Sequence, residues 1–239
     1  MIQIGEKYLG DIYLREYFPK VPKPSSNAVL FLHGYPGSQK NYDLAEELAL
    51  KGFRCFVMHY RGAWKSKGQY SLYGNLKDSE MVLEHIQSEG YKKENINLIG
   101  ASWGGFMAMM LLVRHTSLRK IILLAPFINL SSHPEAFEKG VDFLASITKP
   151  SIQNYERQAL ASDLKRLLEE YNPLPKLSGI NGSKVLIIHG ANDTICPIKY
   201  SMELKSMFQT PASLVKLEDQ DHFLHTRELL FEQCSKFLR

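Results

Sequence analysis

Cysteine is scarce in this chain: 239 residues hold three, Cys55, Cys196 and Cys234. So small and odd a set builds no disulfide framework, and Cys55, inside the apolar run FRCFVMHY, is expected to be a buried core thiol. An excess of one charge is also missing. The 29 Lys and Arg outnumber the 25 Asp and Glu by only four. Short basic pairs such as Lys92-Lys93 and Lys165-Arg166 are scattered instead of forming a stripe interleaved with aromatics. No nucleic-acid partner is expected. No apolar run approaches the length of a membrane span. The opening MIQIGEKYLGD lacks the charged start and apolar stretch of a secretory signal, so a reducing cytoplasm is the expected compartment. No paired-histidine or histidine–cysteine spacing points to zinc, and no cofactor is expected.

What is present is an ordinary globular composition, 44% hydrophobic and 23% charged, on a chain long enough to bury a two-sided sheet. From Ala28 onward, short apolar runs alternate with amphipathic stretches. Strands are expected over 28–34, 53–60, 96–100, 120–127, 184–190 and 213–219. Helices are expected over 41–52, 76–90, 103–115, 198–208 and 227–238. Continuous apolar strands separated by helices indicate a mostly parallel sheet covered on both faces, an α/β fold. The looser alternation of YLGDIYLREYF suggests an antiparallel edge hairpin, and PKVPKPSSN (19–27) a turn-rich connection. Residues 128–183 break the rhythm. They contain two helical stretches, 133–147 and 156–171, the second with Leu160, Leu164, Leu167, Leu168 and Tyr171 on one face. The expected organisation is a core of 1–127 and 184–239 with an inserted helical cap at 128–183.

The stretch NLIGASWGGFMAMM sets Ser102 in a cramped corner between a strand and a helix. Gly100-Ala101-Ser102-Trp103-Gly104 fits G-x-S-x-G, the turn that exposes a nucleophilic serine. Such a turn needs small neighbours so that strand and helix can approach, and the helix N-terminus favours developing negative charge. A serine hydroxyl also needs a base. Of the eight histidines, His222 in EDQDHFLHT follows the last strand and is preferred; His225 is its competitor, expected to border the final helix. An acid must orient that ring. Asp193 in IIHGANDTICPI follows a separate strand and completes the order serine, acid, histidine. Asp219 and Asp221 rank below it, and a helix-capping role for Asp193 is the alternative. For an oxyanion hole, the backbone N–H of Trp103 is one expected donor and that of Tyr35, in HGYPGS (33–38), the other; Pro36 has no N–H to give. Trp64, Trp103, Phe106, Phe137 and Phe143 are candidates for an apolar acyl pocket, each with plain packing as its alternative.

FLHGYPGS, GASWGG, HGANDTICP and QDHFLH together resemble the landmarks of the α/β-hydrolase fold superfamily. The resemblance implies an eight-stranded, mostly parallel sheet with a cap after the sixth strand. It implies Ser102 as nucleophile, Asp193 as acid, His222 as base, and Tyr35 and Trp103 as oxyanion donors. GASWGG and YRGAWKSKGQY are also similar to prolyl-oligopeptidase and acylaminoacyl-peptidase catalytic domains, but no residues are present for their propeller. HGYPGS is closer to the esterase form of the loop, as in small capped and feruloyl-esterase-like carboxylesterases. The expected activity is therefore a serine carboxylesterase, or a thioesterase by the same route, acting on a small-molecule ester. A small peptidase or amidase, and a binding protein on the same fold, are the alternatives. A homodimer stays open.

Overall fold

The computed structural model describes residues 2–19, 27–37, 39–128, 134–148, 152 and 155–239. Most of the expected connection 19–27 lies outside the described residues. Among those residues, eight strands form one sheet: β1 (Gln3–Leu9), β2 (Ile12–Phe18), β3 (Ala28–Leu32), β4 (Arg54–Met58), β5 (Ile96–Ala101), β6 (Ile121–Leu124), β7 (Val185–Gly190) and β8 (Ser213–Leu217). Their order is β1-β2-β4-β3-β5-β6-β7-β8. The β1–β2 hairpin is antiparallel and joins β4 antiparallel, as its looser alternation suggested. Every other neighbouring pair is parallel.

The helices are α1 (Tyr42–Leu50), α2 (Gly74–Ser88), α3 (Trp103–Arg114), α4 (Pro134–Ile147), α5 (Arg157–Tyr171), α6 (Ile198–Met207) and α7 (Arg227–Leu238). The two-residue period of the strands divides them between two cores. Leu30, Leu32, Leu98, Leu123 and Ile187 face α2, α3 and α6 on one side of the sheet. Val29, Phe31, Ile99, Ile122 and Ile188 face α1 and α7 on the other. Leu160, Leu164, Leu167 and Leu168, the apolar stripe foreseen on α5, are buried in the first of these cores. Each fully buried leucine there contributes about 2 kcal/mol. α5 packs against α4 and, through Asp163, the residues just ahead of α2, where Ser71 Oγ and Tyr73 N donate to its Oδ2, while α4 lines the cavity described below.

Four strands, β3, β4, β6 and β8, end earlier than the runs expected for them, and two of these ends border the site. β3 stops at Leu32 because His33 and Gly34 leave the sheet to form a loop: His33 Nδ1–H donates to Gly34 O at 2.7 Å, and Nε2 accepts from Tyr60 N at 3.3 Å. β6 stops at Leu124, where Ala125 takes a positive φ of 42° and donates its N–H to Ile188 O. Both departures occur at the C-terminal edge of the parallel strands, the edge at which such sheets place ligands.

Candidate active site

Ser102 sits between the end of β5 and the start of α3 with φ 51° and ψ −115°. A non-glycine residue in such a conformation costs roughly 1–3 kcal/mol and persists only where its surroundings fix it. Here Ser102 N donates to Leu124 O at 2.8 Å, and Ser102 O accepts from Gly105 N, Phe106 N and Phe127 N. The glycines follow from close approach. A Cβ on Gly100 would lie 2.2 Å from Gly104 O, and one on Gly104 would lie 2.0 Å from Leu32 O. Neither backbone can yield without opening the turn.

Asp193 follows β7 and is buried. Its Oδ1 accepts from Ile195 N at 2.9 Å and Cys196 N at 2.8 Å. Its Oδ2 accepts from His222 Nδ1 at 2.7 Å. His222 follows β8, in a loop that packs directly on the end of β7: Asn192 N donates to Gln220 O at 2.9 Å. The Asp193 side chain is 0% exposed and that of His222 11%. Burial alone would raise the Asp193 carboxyl, but hydrogen bonds from His189, His222 and the Cys196 N–H outweigh it and hold the group well below the usual carboxylate range. The competitors stand elsewhere. His225 is 72% exposed, 3.6 Å from Asp221 and two residues ahead of α7. Asp221 Oδ1 accepts from Phe223 N, and so steadies the loop.

Ser102 and His222 open into one cavity of about 810 Å³. Among the described residues no hydrogen bond joins Ser102 Oγ to the His222 ring; Cys196 lines the same cavity. Burial and the nearby Asp193 charge push the Cys196 thiol up to about 12, so it stays protonated at neutral pH.

The expected oxyanion donors flank the serine. Among the described residues, neither the Tyr35 nor the Trp103 backbone N–H has an acceptor, and Tyr35, Ser102 and Trp103 all line the cavity. Their side chains are anchored behind it. Tyr35 Oη bonds Thr148 Oγ1 just beyond α4; burial pushes this phenol up to about 12, so it stays neutral. Trp103 Nε1 donates to the side-chain oxygen of buried Asn75 at 3.0 Å, with the Asn75 nitrogen donating to Ser71 O. The cavity walls include Trp64, Phe127, Phe143, Leu144, Ile147 and Phe223. Of the pocket candidates named from the sequence, Trp64, Trp103 and Phe143 line it. Phe106 is buried behind Trp103, ring centroids 5.3 Å apart, and Phe137 packs against the core.

One residue of the site went unremarked in the sequence: His189, 0% exposed, with Nε2 3.0 Å from Asp193 Oδ2. The signal available was a lone histidine in the otherwise apolar strand KVLIIHG. Among the described residues no group of three His, Cys, Asp or Glu side chains is placed to hold a metal ion, and no helix is long and apolar enough to cross a membrane.

A strained serine at a strand–helix corner, facing an acid–histidine pair across the C-terminal edge of a mostly parallel sheet, is the arrangement of one class of fold. The chain belongs to the α/β-hydrolase fold family, whose model matches residues 27–147. Uncharacterized protein YfhR of Escherichia coli K12 is 24% identical over 213 residues, covering 86% of this chain and 67% of the relative. Proline iminopeptidase of Lactobacillus delbrueckii subsp. bulgaricus is 32% identical over 122 residues, 47% of this chain and 40% of the relative. The solved esterase EaEST from Exiguobacterium antarcticum superposes with a TM-score of 0.68 at 19% identity, covering 99% of this chain and 98% of that one.

Proposed function

We propose that the protein is a serine hydrolase that cleaves carboxylic esters through an acyl-enzyme on Ser102. The observation carrying this reading is the 2.7 Å bond from His222 Nδ1 to buried Asp193 in a cavity shared with strained Ser102. With Nδ1–H donated to Asp193, the proton-free Nε2 is the nitrogen able to act as base. His222 takes the Ser102 proton as Oγ attacks the ester carbonyl, and Asp193 balances the imidazolium. The Tyr35 and Trp103 N–H groups receive the oxyanion. His222 then protonates the departing alcohol; water, activated by the same ring, releases the acid.

The apolar cavity walls support an apolar acyl group over a charged one, and 128–183 serves as the cap, with α4 as pocket wall. Similarity to a proline iminopeptidase favours a second reading, an aminopeptidase or amidase using the same three residues. Turnover of p-nitrophenyl esters of increasing chain length, against aminoacyl-anilides, separates the two. Under either reading a fluorophosphonate probe labels Ser102, and Ser102→Ala abolishes turnover while the fold survives. Labelling elsewhere, or activity in that variant, removes the assignment.

A further inference from the structure

The Asp193 carboxylate has four acceptor positions, and all four are filled. Two take backbone N–H groups from Ile195 and Cys196, one takes His222, and the fourth takes His189. His189 lies at the end of β7 and turns toward α6, where its Nδ1 is 2.7 Å from Ser201 Oγ. Its Nε2 is also 2.7 Å from Cys196 O. Nε2 therefore faces two oxygens, a carboxylate and a carbonyl, neither of which can donate. The hydrogen must sit on Nε2, shared between them, and Nδ1 is left to accept from the Ser201 hydroxyl. This tautomer assignment follows from the partners.

Resting on the serine-hydrolase reading above, we infer that His189 is a positioning residue that sets how strongly Asp193 binds the His222 ring. Its hydrogen bond does two things. It fixes the carboxylate plane and, through Cys196 O, the turn that brings Cys196 to the wall of the cavity shared with Ser102. It also shares the carboxylate's charge, so that Asp193 does not bind the His222 imidazolium too tightly for the proton to move on to the leaving alcohol. The other titratable groups about the pair are Cys196; Asp221, which is occupied by Phe223 N and His225; and Lys139 and Arg227 on the cavity wall. None of these touches Asp193 Oδ2 among the described residues; His189 and His222 alone do.

Loss of the fourth bond concentrates the carboxylate charge on His222 and favours its protonated form. In His189→Leu, the acid limb of the kcat/KM profile should move to higher pH by about half a unit to one unit, a fraction of the roughly one to two units such a bond is worth to Asp193 itself, because His222 feels its loss only through the shared carboxylate. His189→Gln keeps an amide N–H near the Nε2 position and should return the limb to its original place. Should His189→Leu fail to fold, Ser201→Ala is the second variant. It weakens the donor by removing the partner of Nδ1 and should move the limb in the same direction by less.

Nitrogen-15 NMR of histidine-labelled protein makes the test independent of turnover. It should show His189 protonated at Nε2, and the His222 titration should move upward in His189→Leu or Ser201→Ala. An unmoved limb and an unmoved His222 titration, with activity lost only in step with thermal stability, would overturn the inference and leave His189 a packing residue. So would protonation at Nδ1 alone. Absence of any turnover in the wild-type protein refutes the hydrolase reading instead, while the NMR titration still decides the coupling.

Discussion

Replacing Asp193 with Asn tests the electrostatics of the site at one atom. Asparagine keeps one acceptor oxygen and gains an NH2 group. The N–H groups of Ile195 and Cys196, at 2.9 and 2.8 Å, hold that oxygen at the Oδ1 position. The NH2 must then face His222 Nδ1, 2.7 Å away in the parent. His222 can stay bonded only by accepting at Nδ1, which moves its proton to Nε2, the nitrogen required as base. A ring in that tautomer cannot deprotonate Ser102. The expected loss is about 10⁴-fold in kcat, about 5 kcal/mol on the barrier, with KM little changed. Steady-state hydrolysis of p-nitrophenyl butyrate reads it, and the rate of fluorophosphonate labelling should fall in parallel. A loss of less than about tenfold would refute this chain of reasoning, since an acid that orients the base cannot be so dispensable. A larger loss in Asp221→Asn would assign the role to the other carboxylate.

Other consequences can be checked in the same preparation. Because Asp193 titrates below its unfolded value, the stability it contributes is present at neutral pH and drains away from about pH 4 downward; urea midpoints taken at decreasing pH should fall more steeply for the wild type than for Asp193→Asn. Gly104→Ala drives a methyl against Leu32 O and should cost about 3 kcal/mol or more. Gly179→Ala, with nothing within 4 Å, should stay within about 0.5 kcal/mol of the parent in the same urea titration. Leu144→Trp fills part of the cavity and should lower kcat/KM for an octanoyl ester about tenfold, through lost burial of one or two methylenes, while leaving an acetyl ester nearly untouched. Equal losses on both esters would mean that Leu144 does not border the acyl chain.

Much of this molecule was legible from residue order. The strands were identifiable because burial on both faces demands uninterrupted apolar runs, and the serine corner because Gly100 and Gly104 leave no other reason for so cramped a turn. Chain order pointed to Asp193 and His222, whose side chains lie 2.7 Å apart. What stayed hidden depends on packing across the sheet. The apolar stripe of α5 announced a buried face but not which core it would join. Phe106 and Phe143 carry the same side chain, yet one lies behind Trp103 and the other on the cavity wall, a difference set by tertiary position alone. His189 was invisible for a related reason. A buried polar group is recognised by its partners, and Ser201, Asp193 and Cys196 come to it only when α6 and the turn after β7 close around the strand end.

Arg227, at the head of the last helix, grips Asp43 and Asn41 beside the first one, and the same helix lines the cavity through Arg227 and Leu230. The chamber around Ser102 therefore lacks a wall until α7 has docked on α1. During synthesis Ser102 emerges more than a hundred residues ahead of His222, so under the proposed function no acyl transfer begins before the loop after β8 and α7 have folded onto the serine corner.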